Sequence, residues 1–156
     1  MRRLDRAVTN PEEIADMMAR CEILRLALNT DTVPYILPVN FGMEPDGMTL
    51  YIHGAKEGTK YAHIARDNRA SFQMDCCCGI DMDPDARECS MAYESVIGWG
   101  VLREVLDPKE KKYALDRLMA QYHQEAFDYN DAYIPATRVF RLDVQERTAK
   151  RRRKVM

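Results

Sequence analysis

The chain has 156 residues, long enough to bury a core without metal or disulfide staples and short enough to argue for a single domain. Its 46% apolar and 31% charged content excludes a disordered chain, and a formal net charge of -2 excludes a global pull toward nucleic acid or anionic lipid. Five cysteines, with Cys76, Cys77 and Cys78 adjacent, make a poor disulfide framework and suit a reducing cytoplasm; residues 4–10 are too polar for a leader and no apolar run is long enough to span a membrane.

Asn10-Pro11-Glu12-Glu13 reads as an N-cap, Pro at N1 and Glu at N3. The Asn10 oxygen is placed to accept from the Glu13 amide, and Glu13 to reach back. Ile14, Met17, Met18 and Cys21 follow as one apolar helical stripe. Residues 22–28 read as a first strand, with a turn at 29–32. Residues 33–41 read as a second, which Pro34 and Pro38 confine to an edge or make irregular, because neither donates to a ladder. Pro45-Asp46-Gly47 is a turn signal that pairs this strand with a third over 48–53. A short helix over 59–66 presents Tyr61, Ile64 and Ala65. Strands over 69–77 and 92–105 flank a polar loop, 78–90. Asp107-Pro108-Lys109-Glu110 repeats the cap grammar, followed by Ala114, Leu115, Leu118, Met119 and Tyr122 at helical spacing. After a polar loop at 124–136, residues 138–144 alternate Phe140, Leu142 and Val144 with Val139, Arg141 and Asp143. Six strands joined mostly by tight turns, with helices at the flanks, predict a mainly β (α+β) fold, an antiparallel six-stranded barrel. The domain is expected over 1–150, with 151–156 as a solvated basic tail.

No G-x-G-x-x-G, P-loop, G-x-S-x-G or H-E-x-x-H occurs, which argues against the familiar dehydrogenases, kinases, serine hydrolases and metalloproteases. The informative segment runs from Leu50 to Lys60. A strand delivers His53 to its end, a loop with Gly54 and Gly58 follows, and a helix opens near Thr59. Helix-start amides, the Thr59 hydroxyl and the Lys60 charge can hold a phosphate, but the residues by themselves favour a plain turn with Thr59 as N-cap and Lys60 solvated. His53 is a structural residue unless a ligand lies beside it; His63 and His123 receive no role. Gly98 and Gly100, flanking Trp99, mark either barrel curvature or close approach of a ligand, and Trp99 fits either core or a dimer interface. Adjacent strand residues point to opposite faces, so Cys77 is not expected to aim with Cys76 and Cys78, and no C-x-x-C pair exists. No metal site is expected.

Several segments, in order and at matching spacing, resemble one family. They are Arg3-x-x-Arg6-x-Val8-Thr9; Pro34-Tyr35-Ile36-x-Pro38-Val39-Asn40-Phe41-Gly42; Leu50-Tyr51-Ile52-His53-x-Ala55-Lys56-Glu57-Gly58-x-Lys60; Cys89-Ser90-x-x-Tyr93-x-Ser95-Val96-Ile97-Gly98-x-Gly100; and Thr148-x-Lys150. From about Arg3 to Lys150 the chain resembles the FMN-binding split-barrel proteins related to pyridoxamine 5'-phosphate oxidase, and within them the nitroimidazole-resistance type. The resemblance implies a six-stranded split barrel, dimeric, with FMN at the subunit interface. The flavin would lie along Pro38, Val39, Asn40 and Phe41. His53, Gly54 and Ala55 would line the same pocket, with His53 as the candidate catalytic residue. Gly58, Thr59 and Lys60 would hold the phosphate, and Tyr93 and Ser95 would contribute from either subunit. The arginine-rich substrate tail of the oxidase proper is not found here, since Arg141, Lys150 and the terminal arginines do not fit it. Vitamin B6 oxidation is therefore not expected, and the cysteine run lies outside the family pattern.

The resulting expectation is a cytoplasmic FMN-dependent oxidoreductase acting on a small-molecule acceptor, for example a nitroaromatic. The alternative is a non-catalytic flavin- or haem-binding carrier or sensor. No nucleic-acid or membrane partner is expected.

Overall fold

A computed structural model describes residues 3–83, 85, 87–123 and 130–153. Its helices are α1 (Pro11–Ala19), α2 (Thr59–Arg66) and α3 (Pro108–Tyr122), with single 3-10 turns at Leu4–Arg6 and Asp131–Ala136. The strands are β1 (Ala7–Val8), β2 (Leu24–Leu28), β3 (Tyr35–Val39), β4 (Phe41–Met43), β5 (Thr49–Gly54), β6 (Arg69–Asp83), β7 (Glu88–Val105) and β8 (Arg138–Arg152). All pair antiparallel in one sheet of order β3-β2-β6-β7-β8-β5-β4, with β1 added beside β8.

That order contains its own closure. β3 and β4 stand at opposite edges, yet only Asn40 separates them in the chain. The sheet must therefore curl until its edges meet, and one continuous segment pairs with β2 through its first half and with β5 through its second. Two expectations are reconciled here. The prolines do mark an edge strand, and the barrel has six walls once β3 and β4 count as one. Ladders traced from this segment in both directions round the sheet meet β7 about ten residues out of step, the stagger of a tilted small barrel.

Local chemistry sets the helix starts. Asn10 Oδ1 accepts from the Glu12 amide at 2.8 Å and the Glu13 amide at 3.2 Å, and Asp107 repeats this toward Lys109 and Glu110. Glu13 does not reach back to close a capping box; its carboxylate pairs instead with Arg151. The α1 stripe of Ile14, Met17, Met18 and Cys21 is buried in a core with Leu24, Leu26, Phe41, Leu50, Ile52, Phe72, Met74, Leu102 and Leu142. α3 lies directly on β4, because Gly42 has no Cβ; one added there would fall 2.4 Å from the Leu118 amide nitrogen. At Gly98 a Cβ would meet the Phe72 ring at 2.6 Å, and at Gly100 the Asp143 carbonyl at 2.3 Å, where the β7–β8 register shifts. Of the two readings for these glycines, curvature and close strand packing is the one observed.

Three expectations need correction. Residues 78–90 are not a loop: β6 and β7 continue as a ribbon, pairing Gly79 with Ala92 out to Asp83 with Glu88. A two-stranded extension wet on both faces needs no apolar alternation, which hid it. The last strand is twice the expected length, and Arg151 and Arg152 belong to it rather than to a solvated tail, whose residues 154–156 lie outside the described residues. Arg151 is neutralised by Glu13 and Glu94, and Arg152 by Asp81 at 2.7 Å, so the basic run has partners remote in sequence. Finally, Gly58 rather than Thr59 is the N-cap of α2. The loop expected at 124–136 lies partly outside the described residues; Asp131–Ala136 forms a 3-10 turn capped by Asn130.

Candidate functional site

β5 ends at Gly54, and the chain crosses to α2 through 55–58. Tyr61, one turn into α2, sends its hydroxyl back to donate to the Ala55 carbonyl and fastens the loop. Its ring stacks on Phe140 of β8 with centroids 5.6 Å apart, and the Arg138 guanidinium lies 3.9 Å above its centroid. Arg138 is held in turn by a two-pronged pair with Glu104 at 2.7 and 2.6 Å. Tyr35 of β3 meets His63 of α2 at 5.1 Å between centroids, which sets the helix against the barrel edge.

Lys60 folds back over this loop. Its ammonium lies 4.7 Å from the Tyr61 ring centroid and so close above Gly54 that a Cβ there would be 2.6 Å from Nζ. Gly54 is thus required for Lys60 to reach the end of β5. The N-terminus of α2, capped by Gly58 at φ 154°, opens beside it, so a full positive charge and the positive end of a helix converge on one loop.

The β4–β5 ladder ends where Phe41 pairs with Ile52, and Asn40 and His53 are the next residue of each segment beyond that last rung. This joins two of the expected stretches. Along β3 the inward positions are Tyr35, Leu37 and Val39, which pack on the core, whereas Ile36, Pro38 and Asn40 face outward and are exposed. The expected row Pro38, Val39, Asn40 and Phe41 therefore splits. Pro38 and Asn40 present their side chains to the surface. Phe41 is wholly buried, its amide donating to the Tyr122 hydroxyl at 3.0 Å, and it offers a ligand no side chain.

His53 is accessible but crowded. It lines an apolar hollow of about 150 Å³ with Leu115, Leu118, Met119, Tyr133 and Ile134. Burial, reinforced by the Lys60 ammonium, holds its pKa below the usual value and leaves the imidazole neutral at pH 7. On the other side of the Lys60 loop, beneath α2, a cavity of about 400 Å³ is lined by Tyr61, Ile64, Leu102, Glu104, Arg138 and Phe140.

Tyr93 and Ser95 are not brought to this cluster. Ser95 pairs with Asp75 on one side and Lys150 on the other, and Tyr93 faces Arg152. Ser95 opens on the outer face that also carries Pro38 and Asn40, but three strands away, on the order of 14 Å at the usual strand spacing. Asn40, His53, Gly54, Ala55, Gly58, Thr59 and Lys60 are gathered within one chain. Tyr61 and Arg138 belong with them and carry no local signal in the sequence: Tyr61 has the spacing of an ordinary apolar helix position, and Arg138 lies far along the chain, opposite Gly54 in the β5–β8 ladder.

The site suits an anionic, flat ligand on physical grounds: a cationic loop closed over a missing Cβ, a neutral imidazole, an outward amide, and exposed strand edge. A family profile described as pyridoxamine 5'-phosphate oxidase matches residues 10–151. A search of curated proteins finds no match. Among solved structures, a candidate 5-nitroimidazole antibiotic resistance protein from Bacteroides thetaiotaomicron aligns at 26% identity, over 92% of this chain and 85% of that one, with a TM-score of 0.82. The flavocytochrome Anf3 from Azotobacter vinelandii aligns at 18% identity over 98% and 72%, TM-score 0.80. An FAD- and haem-binding protein from Mycobacterium smegmatis aligns at 21% over 94% and 73%, TM-score 0.76. The curled antiparallel sheet, the site segments in order and the profile spanning nearly the whole chain lead to one assignment: this chain belongs to the pyridoxamine 5'-phosphate oxidase family of split-barrel proteins.

Proposed function

We propose that this chain binds FMN as a homodimer and works as a flavin-dependent oxidoreductase on a small acceptor, a nitroaromatic being one candidate. The observation that carries the reading is the convergence of Lys60, the α2 N-terminus and His53 on the loop that Gly54 permits. The residues fit the cofactor. Lys60 and the amides of Thr59 and Gly58 would take the phosphate, and Pro38, Asn40 and the exposed edge of β3 would lie along the ring system. FMN, when bound, supplies one- and two-electron redox chemistry that the side chains lack. His53, neutral at the end of β5, can donate a hydrogen bond to an acceptor and orient it where negative charge develops. Tyr93 and Ser95, remote within one chain, would enter from a second copy.

The names of the structural relatives lend support, since they cover FAD, haem and 5-nitroimidazole resistance. The haem-binding relatives favour one second reading, a non-catalytic carrier or sensor. The test is the visible spectrum of the purified protein, followed by titration with FMN and with FAD. A yellow protein, or one that takes up FMN, is expected; a colourless protein that takes up neither flavin refutes the reading. Lys60→Ala should weaken FMN binding by roughly 1.5–3 kcal/mol, the worth of a charge-assisted contact, read by flavin fluorescence quenching. Unchanged affinity would put the phosphate elsewhere. A bound flavin that no nicotinamide nucleotide reduces anaerobically would favour the carrier.

A further inference from the structure

The inward-facing rows of β6, β7 and β8 change character at one level. Phe72 and Met74, Val96, and Ala149 are buried and apolar. The next inward rung, formed by the pairs Cys76–Glu94 and Glu94–Arg151, carries a thiol, a carboxylate and a guanidinium. These groups sit under the end of α1, which adds Arg20 and Cys21. A barrel mouth closed by α1 could have ended in apolar residues; this one ends in a charged row whose Glu94 and Arg151 side chains are only 12% and 14% exposed.

Cys77, itself exposed, reaches the same carboxylate. The expectation that neighbouring cysteines point to opposite faces fails here, because the β6–β7 register shifts between Cys76 and Gly79 and Cys77 takes φ 55°, in the left-handed region a non-glycine residue rarely occupies. Both thiols now approach one atom, Glu94 Oε2, at 3.7 Å from Cys76 Sγ and 3.9 Å from Cys77 Sγ. The two sulfurs and the oxygen all lie within 4.8 Å of one another. Around a tetrahedral ion at ordinary zinc–sulfur and zinc–oxygen lengths, a sulfur and an oxygen stand about 3.5 Å apart and two sulfurs about 3.8 Å, so closing this triad takes a few tenths of an ångström between each thiol and the carboxylate and at most about 1 Å between the two sulfurs.

We propose that Cys76, Cys77 and Glu94 form a binding site for a thiophilic d10 metal ion of the zinc type, with solvent from the adjoining groove in the fourth position. That groove, about 560 Å³, is lined by Arg20, Glu22, Ile23, Arg25, Asp75 and the two cysteines, and gives the ion an entry path. The charges close. Two thiolates cancel a divalent ion, while Glu94 and Glu13 already balance Arg20 and Arg151, their ion-pair partners. Loading releases the two thiol protons to solvent, and no electron is transferred. Arg20, 44% exposed, can swing aside to free Oε2.

The experiment is titration of the reduced full-length protein with cobalt(II) under argon. Tetrahedral d–d bands, at longer wavelength than oxidised flavin absorbs, should grow to one ion per chain and vanish on adding zinc(II). Cys76→Ser and Cys77→Ser should each abolish them, and Cys89→Ser, remote on the β7 ribbon, should leave them intact. Where Cys76→Ser fails to fold, the exposed Cys77 position carries the test. Absence of the bands, or their survival in either folded serine variant, overturns the proposal, and neither result bears on flavin binding.

Discussion

The imidazole of His53 is tuned by what surrounds it. Its usual pKa is 6.5, and the side chains of α3 packed round it, together with Lys60, push it lower. The sign of the linkage follows. Between 6.5 and the lower folded value, the unfolded chain takes up a proton that the folded protein refuses. His53 therefore costs stability as pH falls through that window, and nothing above it. Imidazole NMR titration should find His53 below 6.5. In Lys60→Ala it should move upward but stay below 6.5, because burial is the larger cause and remains. A His53 that titrates normally, or does not respond to loss of Lys60, would separate these two residues and weaken the shared site. At Glu94 burial disfavours the carboxylate, yet hydrogen bonds from Arg20 and Arg151 outweigh it and hold the pKa below the usual range. One fold thus keeps a charged carboxylate at one end of the barrel and a neutral histidine at the other.

Two glycines show how elements divide between folding and function. At Gly42 an added Cβ meets α3 backbone, which cannot give way without moving the helix; at Gly54 it meets the tip of Lys60 and the Tyr61 hydroxyl, which can. Gly42→Ala should cost roughly 1–3 kcal/mol in urea unfolding, as overpacking does, and flavin binding should suffer only through stability. Gly54→Ala should unfold near the wild-type midpoint yet bind FMN more weakly, since the lysine is displaced. The reverse pattern would place the function of Gly54 in the fold alone. The same contrast explains what was legible in the sequence. The caps at Asn10 and Asp107, the Pro45-Asp46-Gly47 turn and α2 are written in contiguous residues, and so is the segment from His53 to Lys60. The split of one strand at Asn40, the ribbon of β6 and β7, and the register shift that brings Cys77 to Glu94 depend on ladders between residues far apart. Arg138 reaches the site only through the β5–β8 register, and Arg151 finds Glu13 and Glu94 only once β8 is built. Alternation rules carry no information on such pairings, and they mislead wherever a bulge resets the faces.

At the scale of the whole molecule, the outer face of the barrel bears on assembly. On adjoining rows, Ile36 is 66% exposed, Ile97 56% and Trp99 41%, with Trp99 opposite Ser71 and Ile97 opposite Gln73. Single exposed apolar residues are ordinary, but three on one sheet face, next to outward Pro38 and Asn40, form a patch of the kind that marks an interface. The same face carries Ser95, which one chain holds away from His53 and Lys60. A second copy seated on this face would bury the patch and complete the site in a single step. Trp99→Arg should therefore give a monomer by sedimentation velocity and lose most FMN affinity while keeping its circular dichroism. Leu106→Arg, at a position 76% exposed and away from this face, should alter neither. A Trp99→Arg monomer with wild-type FMN affinity would make the site complete within one chain and leave Tyr93 and Ser95 without a part in it. A Trp99→Arg dimer would move the interface to another face of the barrel.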